Sequence, residues 1–192
     1  YARDVAQFDY IAQFLASRGY GVFQMNFRGS SGYGKKFAEA GRKNWVVMQE
    51  DVEDAAKWLV DKGYSAPKNM CVMGWSYGGY VALLGGAKNP DLYKCAVSIA
   101  GVTDLQDLIL DMRKYQFGAH ISEDFVEEGF QNFDQMKKHS PVNFGPEYKI
   151  PVFLAHGTRD ATVHFDQFTK MKSALKKSDS KVVALKLKDG NH

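Results

Sequence analysis

Cysteine, proline and long apolar runs are all scarce in this chain. It has 2 cysteines and 5 prolines in 192 residues. Two cysteines do not make a disulfide scaffold. Each lies in an apolar run, Cys71 in MCVMG and Cys95 in CAVSIAG, so the pair reads as buried free thiols. Neither has a nearby histidine or a C-x-x-C partner, which argues against reactive-thiol chemistry. The compartment stays open: cytoplasmic, periplasmic and secreted settings all fit. No apolar run reaches the roughly 18 residues of a membrane span, so no membrane insertion is expected. No basic-then-apolar leader is visible at the start. Charge of one sign is not in excess either. The 25 Lys and Arg against 22 Asp and Glu leave +3, spread along the chain. That balance gives nucleic-acid binding no support. No histidines have HExxH spacing and the cysteines are far apart, so no metal site is expected.

What is present is globular composition, 45% hydrophobic and 24% charged, enough for one domain over 1–192. Helical spacing of Val5, Phe8, Ala12 and Leu15 predicts a helix over 3–18. The run YGVFQMNF (20–27) predicts a strand, and the Gly-rich loop RGSSGYG (28–34) follows it. That loop lacks the Gly-Lys-Ser/Thr ending of a phosphate-binding loop, and no cofactor is expected. Val52, Ala55, Ala56, Leu59 and Val60 make one stripe, predicting a helix over 50–62. Three short apolar runs predict buried strands at 69–74, 95–101 and 150–157, and a last strand is expected at 181–189. Helices are expected from about 76 to 85, over 103–116 and over 164–177. The aromatic-rich segment 117–148, with Phe117, Phe125, Phe130 and Phe133, reads as short helices and loops.

Strict alternation of helices with apolar strands means an α/β fold: a mostly parallel sheet with helices on both faces. The chain opens on YARDV and stops at KDGNH just after a strand-like run. The domain is therefore expected to be incomplete at both ends. Ligands of such sheets bind at the carboxyl ends of the strands, which is where chemistry should be sought.

Gly74-Trp75-Ser76-Tyr77-Gly78 sits between a buried strand and a helix. It matches G-x-S-x-G in the context that motif needs. A sharp strand-to-helix turn holds the serine in a strained conformation, and glycine at Gly74 and Gly78 makes room. A serine hydroxyl needs a base, and the base needs an orienting acid. Of the 5 histidines, His120 and His139 precede the acid and so fall out of order. His156 ends its strand at a His-Gly turn and reads as backbone-shaping. His164 opens a helix as a solvated cap. His192, just past the last strand, is the expected base. Asp160, on the loop leaving strand 150–157, is the expected acid, ahead of Asp166 inside the next helix. Asp189 reads as a solvated strand end. The backbone N–H of Tyr77 is the expected oxyanion donor. A second donor normally comes from a His- and Gly-rich loop after an earlier strand, and no such loop precedes residue 20. Trp75 and Tyr77 flank the nucleophile as candidate substrate-binding residues, with Tyr33 and Arg28 as further candidates from the Gly-rich loop.

Together, NFRGSSGYG (26–34), WVVMQEDVEDAAKWLVDKG (45–63), GWSYGGY (74–80), LYKCAVSIAGVTD (92–104), SPVNF (140–144) and HGTRDATVHF (156–165) resemble the α/β-hydrolase domain of prolyl oligopeptidase family serine peptidases. The pattern is most similar to the acylaminoacyl-peptidase and dipeptidyl-peptidase-like branches. The resemblance implies a triad of Ser76, Asp160 and His192, hydrolysis of short peptides through an acyl-enzyme, and no cofactor. It is compatible with a homo-oligomer. Family members usually carry an N-terminal propeller and a His-Gly-Gly-Pro-type oxyanion segment, and neither is in this chain. Thr162 departs from the Arg of prolyl oligopeptidases and the Asn of many dipeptidyl peptidases at that position. The same triad also suits a carboxylesterase, and a non-catalytic hydrolase-fold module is the reading from another class.

Overall fold

The structure is a computed structural model, and it describes residues 3–42, 44–114, 130 and 132–192. The apolar runs become four strands: β1 (Met70–Trp75), β2 (Tyr93–Ile99), β3 (Val152–Gly157) and β4 (Val182–Leu187). All neighbours pair in parallel, in the order β1-β2-β3-β4. Parallel strands cannot be joined by hairpins, so helical segments lie between them. The helices are α1 (Tyr10–Ala16), α2 (Lys35–Arg42), α3 (Trp45–Asp61), α4 (Tyr77–Lys88), α5 (Leu105–Met112), α6 (Phe133–His139) and α7 (Asp166–Leu175). A 3-10 turn over Pro141–Glu147 leads into β3.

The core explains the layering. α4 is apolar on all sides, and its residues from Gly79 to Ala87 are buried. Such a helix must be covered all round. Its Leu83 and Ala87 pack with Val152 and Leu154 of β3 and with Phe168, Met171 and Leu175 of α7. Its Tyr80, Val81 and Leu84 pack with Trp45 and Met48 of α3 and Leu105 and Ile109 of α5. α4 is thus the central post between sheet and outer helices. The helix that begins at the motif serine cannot move without disturbing both clusters.

Several boundaries differ from the sequence expectation. α1 begins at Tyr10 because the Asp9 side chain accepts the Ala12 N–H at 2.8 Å and caps it there. Val5 and Phe8 stay outside the helix and exposed. α3 begins five residues earlier than its stripe suggested, where the Asn44 side chain accepts the Val46 N–H at 2.9 Å. α2, hidden behind the Gly-rich loop, was not expected. The run 20–27 is not a strand. Among the described residues it has no ladder partner, and a strand exists only with a neighbour to bond. Among the described residues the sheet therefore has four strands rather than five. Phe117, Phe125 and His120 lie outside the described residues. Phe130 is buried in the core beside Met136, and Phe133 is exposed.

The cysteines are also a correction: Cys71 and Cys95 form a disulfide. The parallel register sets them directly opposite one another on β1 and β2, with Cα atoms 4.6 Å apart. Cys71 is on the exposed side of β1, away from the face that buries Val72. Apolar neighbours in the sequence hid that alternation.

The bridge closes a loop that contains the whole of α4. Changing both Cys71 and Cys95 to serine in the full-length protein should lower unfolding stability by about 3 kcal/mol, read from urea midpoints. Non-reducing peptide mapping should recover the linked pair. A midpoint insensitive to the change would show that the bridge does not constrain the unfolded chain.

Candidate active site

The loops that follow β1, β3 and β4 meet at the carboxyl end of the sheet. At the first, Ser76 has φ 57° and ψ −117°. This left-handed backbone is unfavourable for a residue with a Cβ and is held only by its surroundings. The Ser76 N–H donates to Ile99 O at 2.9 Å, and its carbonyl accepts the Tyr80 N–H at 3.1 Å. One bond anchors the turn to β2 and the other starts α4. The side chain makes no capping bond, so the hydroxyl is not committed to the helix it introduces. The glycine requirement is one-sided. A Cβ at Gly74 would overlap the main chain of Gly78, whereas a Cβ at Gly78 would meet open space. Gly74 is the residue that lets the turn close.

At the second loop, the Asp160 side chain is fully buried. Its Oδ1 accepts N–H bonds from Thr162 and Val163, both at 2.9 Å. Its Oδ2 lies 2.7 Å from Nδ1 of His192 on the third loop. Burial pushes the carboxyl pKa up, but the hydrogen bonds from His192, Val163 and Thr162 outweigh it and hold the pKa below its ordinary value. The two loops can approach because Gly157 has no side chain. A Cβ there would overlap the carbonyls of Gly190 and Asn191. The Thr158 N–H donates to Leu187 O at 3.0 Å and the Arg159 N–H to Gly190 O at 2.9 Å, which fastens the turn that carries His192.

The structure thus brings Asp160 and His192 together, as the order of the motifs predicts. Trp75, the last residue of β1, is half-exposed, and its ring centroid is 5.8 Å from that of His192. Among the described residues no hydrogen bond joins Ser76 Oγ to His192. Asp189 pairs with Arg159 at 3.0 Å.

The other candidates are placed differently. Tyr77 directs its ring into the core, 4.6 Å from Trp45 and 5.6 Å from Phe27. Its main-chain N–H lies in the first turn of α4. Tyr33 packs on Phe37, and its hydroxyl accepts from Asn26 at 3.1 Å. Arg28 grips Asp51 of α3 through Nη2 at 2.6 Å and Nε at 2.9 Å, and its main-chain N–H donates to the same carboxylate at 2.8 Å. That carboxylate raises the guanidinium pKa further. The Arg28 head group ties the Gly-rich loop to α3.

Two features of the site had no readable signal in the sequence. Gln167 of α7 accepts from the N–H groups of Thr103 and Asp104 at 2.8 and 2.7 Å and donates to Asp104 O at 3.0 Å. This clamps the loop after β2 to α7. His164, expected to be a solvated cap, lies 3.0 Å from Asp111 of α5. Both depend on contacts between residues more than 50 positions apart.

The Peptidase_S9 model, described as the prolyl oligopeptidase family, matches residues 6–192.

The chain belongs to the prolyl oligopeptidase family.

Its similarities fall inside longer proteins. It is 32% identical to dipeptidyl aminopeptidase BIII of Pseudoxanthomonas mexicana, across 100% of this chain and 28% of that protein. It is 33% identical to dipeptidyl peptidase family member 6 of Caenorhabditis elegans, across 100% of this chain and 26% of that protein. A solved puromycin-hydrolyzing peptidase of Mycobacterium tuberculosis superposes with a TM-score of 0.86 at 28% identity, over 100% of this chain and 29% of that one. The chain therefore spans little more than a quarter of the relatives it matches. The shared fold is that of the α/β-hydrolase peptidases.

Two outcomes follow from the geometry. Arg28→Ala should lower unfolding stability by about 1 kcal/mol, since the pair is partly exposed, and leave KM unchanged. A KM raised several-fold without loss of stability would return Arg28 to the substrate. Asp160 has a folded pKa below its unfolded one. It therefore contributes stability above the ordinary carboxylate range, and this is lost as pH falls through the folded value. Asp160→Asn should flatten the acid side of a plot of unfolding free energy against pH. An unchanged acid slope would assign that dependence to other groups.

Proposed function

We propose that this chain is the catalytic part of a serine-type peptidase that hydrolyses short peptides through an acyl-enzyme on Ser76. The observation that carries the reading is the 2.7 Å contact of buried Asp160 with His192 Nδ1, at the same sheet end as the strained turn of Ser76. With Nδ1–H held by the carboxylate, the imidazole presents Nε2 as base.

In this reading Ser76 Oγ attacks the scissile carbonyl as His192 Nε2 takes its proton. Negative charge develops on the carbonyl oxygen, and the Tyr77 N–H and the positive end of α4 stabilise it. His192 then gives the proton to the leaving amine, and the acyl group stays on Ser76. Water, deprotonated by the same imidazole, releases the acid and restores the serine. Asp160 stays ionised throughout, because its hydrogen bonds favour the charged form. Half-exposed Trp75, beside His192, is the side chain best placed to touch substrate. The names of the relatives, two dipeptidyl peptidases and a puromycin-hydrolysing peptidase, favour amide bonds near a free amino terminus over simple esters.

In the full-length protein, Ser76→Ala should lower kcat on an aminoacyl p-nitroanilide by roughly 10⁶-fold and remove fluorophosphonate labelling. Labelling that survives the substitution would place the nucleophile elsewhere. Efficient turnover of acyl esters with none of amides would make the enzyme an esterase.

A further inference from the structure

β3 ends on a second imidazole that the triad chemistry does not use. His156 is 2% exposed. Its ring lies edge-on to Phe165, just ahead of α7, and to Phe168 of α7, with centroids 5.9 and 6.1 Å away. Its Nε2 is 2.8 Å from Val163 O. A carbonyl oxygen only accepts, so the proton is on Nε2 and His156 is the donor. The same nitrogen lies 3.3 Å from Asp160 Oδ2, the oxygen that holds His192. Val163 in turn donates its own N–H to Asp160 Oδ1 at 2.9 Å. His156 therefore closes a ring: imidazole to Val163 carbonyl, Val163 N–H to carboxylate, and carboxylate back to the imidazole.

We infer that His156 is a positioning residue for the triad acid, setting both the orientation and the basicity of Asp160 through one Nε2–H shared between Val163 O and Oδ2. The inference rests on reading Ser76, His192 and Asp160 as one reacting set. The titratable groups facing His156 are Asp160 and His192. Lys186, its register partner on β4, holds its ammonium over the Phe165 ring at 5.4 Å. Burial lowers the His156 pKa, and hydrogen bonding to Val163 only partly opposes this. The residue thus stays neutral near pH 7, with a single proton to place. A donor on Oδ2 takes up part of the carboxylate's charge. Without it, Asp160 is more basic and stabilises the imidazolium of His192, which then keeps its proton to higher pH.

The test compares His156→Phe, which keeps an apolar ring and loses the donor, with His156→Gln, which keeps an N–H. Both are made in the full-length protein. The Phe variant should lower kcat/KM on an aminoacyl p-nitroanilide roughly tenfold, mostly in kcat. It should move the acidic limb of the profile up by about half a pH unit. The Gln variant should recover most of both. A Phe variant with the wild-type pH profile, or equal losses in both variants that follow the folded fraction by circular dichroism, would overturn the proposal. If neither variant folds, nitrogen-15 imidazole shifts of the wild-type protein decide. A neutral His156 protonated on Nε2 at pH 7 supports it, and protonation on Nδ1 overturns it. Failure of the triad reading itself shows separately, as activity retained in Ser76→Ala.

Discussion

A carboxylate removed from water needs donors, and the architecture of this site follows from that need. Asp160 is fully buried on its side chain, yet it stays charged because three N–H groups point at it. Two come from its own loop, which has to turn tightly so that Thr162 and Val163 face back. The third comes from His192, 32 residues further along. That approach is possible only because Gly157 leaves room for the main chain of residues 190 and 191. The charge, the turn and the glycine are one device. Remove the donors and burial pushes the carboxyl pKa up. Remove the space and the imidazole never arrives.

The Ser76 end of the site is held by different means. No buried charge anchors Ser76. Its strained backbone is imposed by a main-chain bond to β2, by the close contact of Gly74 with Gly78, and by a helix buried on every side. The Cys71–Cys95 bridge ties β1 to β2 five residues before the serine. Packing and covalent linkage therefore fix Ser76, while hydrogen bonding fixes Asp160 and His192. The two halves meet at the carboxyl end of one parallel sheet, where every crossover delivers a loop.

Much of this was legible in the residues. Short apolar runs mark strands, and the runs at 69–74, 95–101, 150–157 and 181–189 all paired in parallel, although β1 and β4 leave most of their side chains partly or fully exposed. G-x-S-x-G between strand and helix located Ser76, and the order of the later motifs located Asp160 and His192. Other features depend on who the neighbour is. The run 20–27 has strand character but no partner to bond among the described residues. The cysteines looked like core thiols because their neighbours are apolar, but register sets them face to face. Arg28 looked free to meet a ligand until the fold brought Asp51 to it. His156 looked like part of a turn, and its second contact is visible only once the loop has closed on it.

The sequence by itself determined the fold class, the four strands that pair in parallel and the candidate triad of Ser76, Asp160 and His192. These follow from local periodicity, from residue chemistry and from spacing within a few positions of each motif. Tertiary structure alone decided the disulfide, the Gln167 clamp, the Arg28–Asp51 pair and the contact of His156 with Asp160. Each joins residues from different elements. Their distances are set by sheet register and helix packing, and a chain of residue types carries that information only after it has folded.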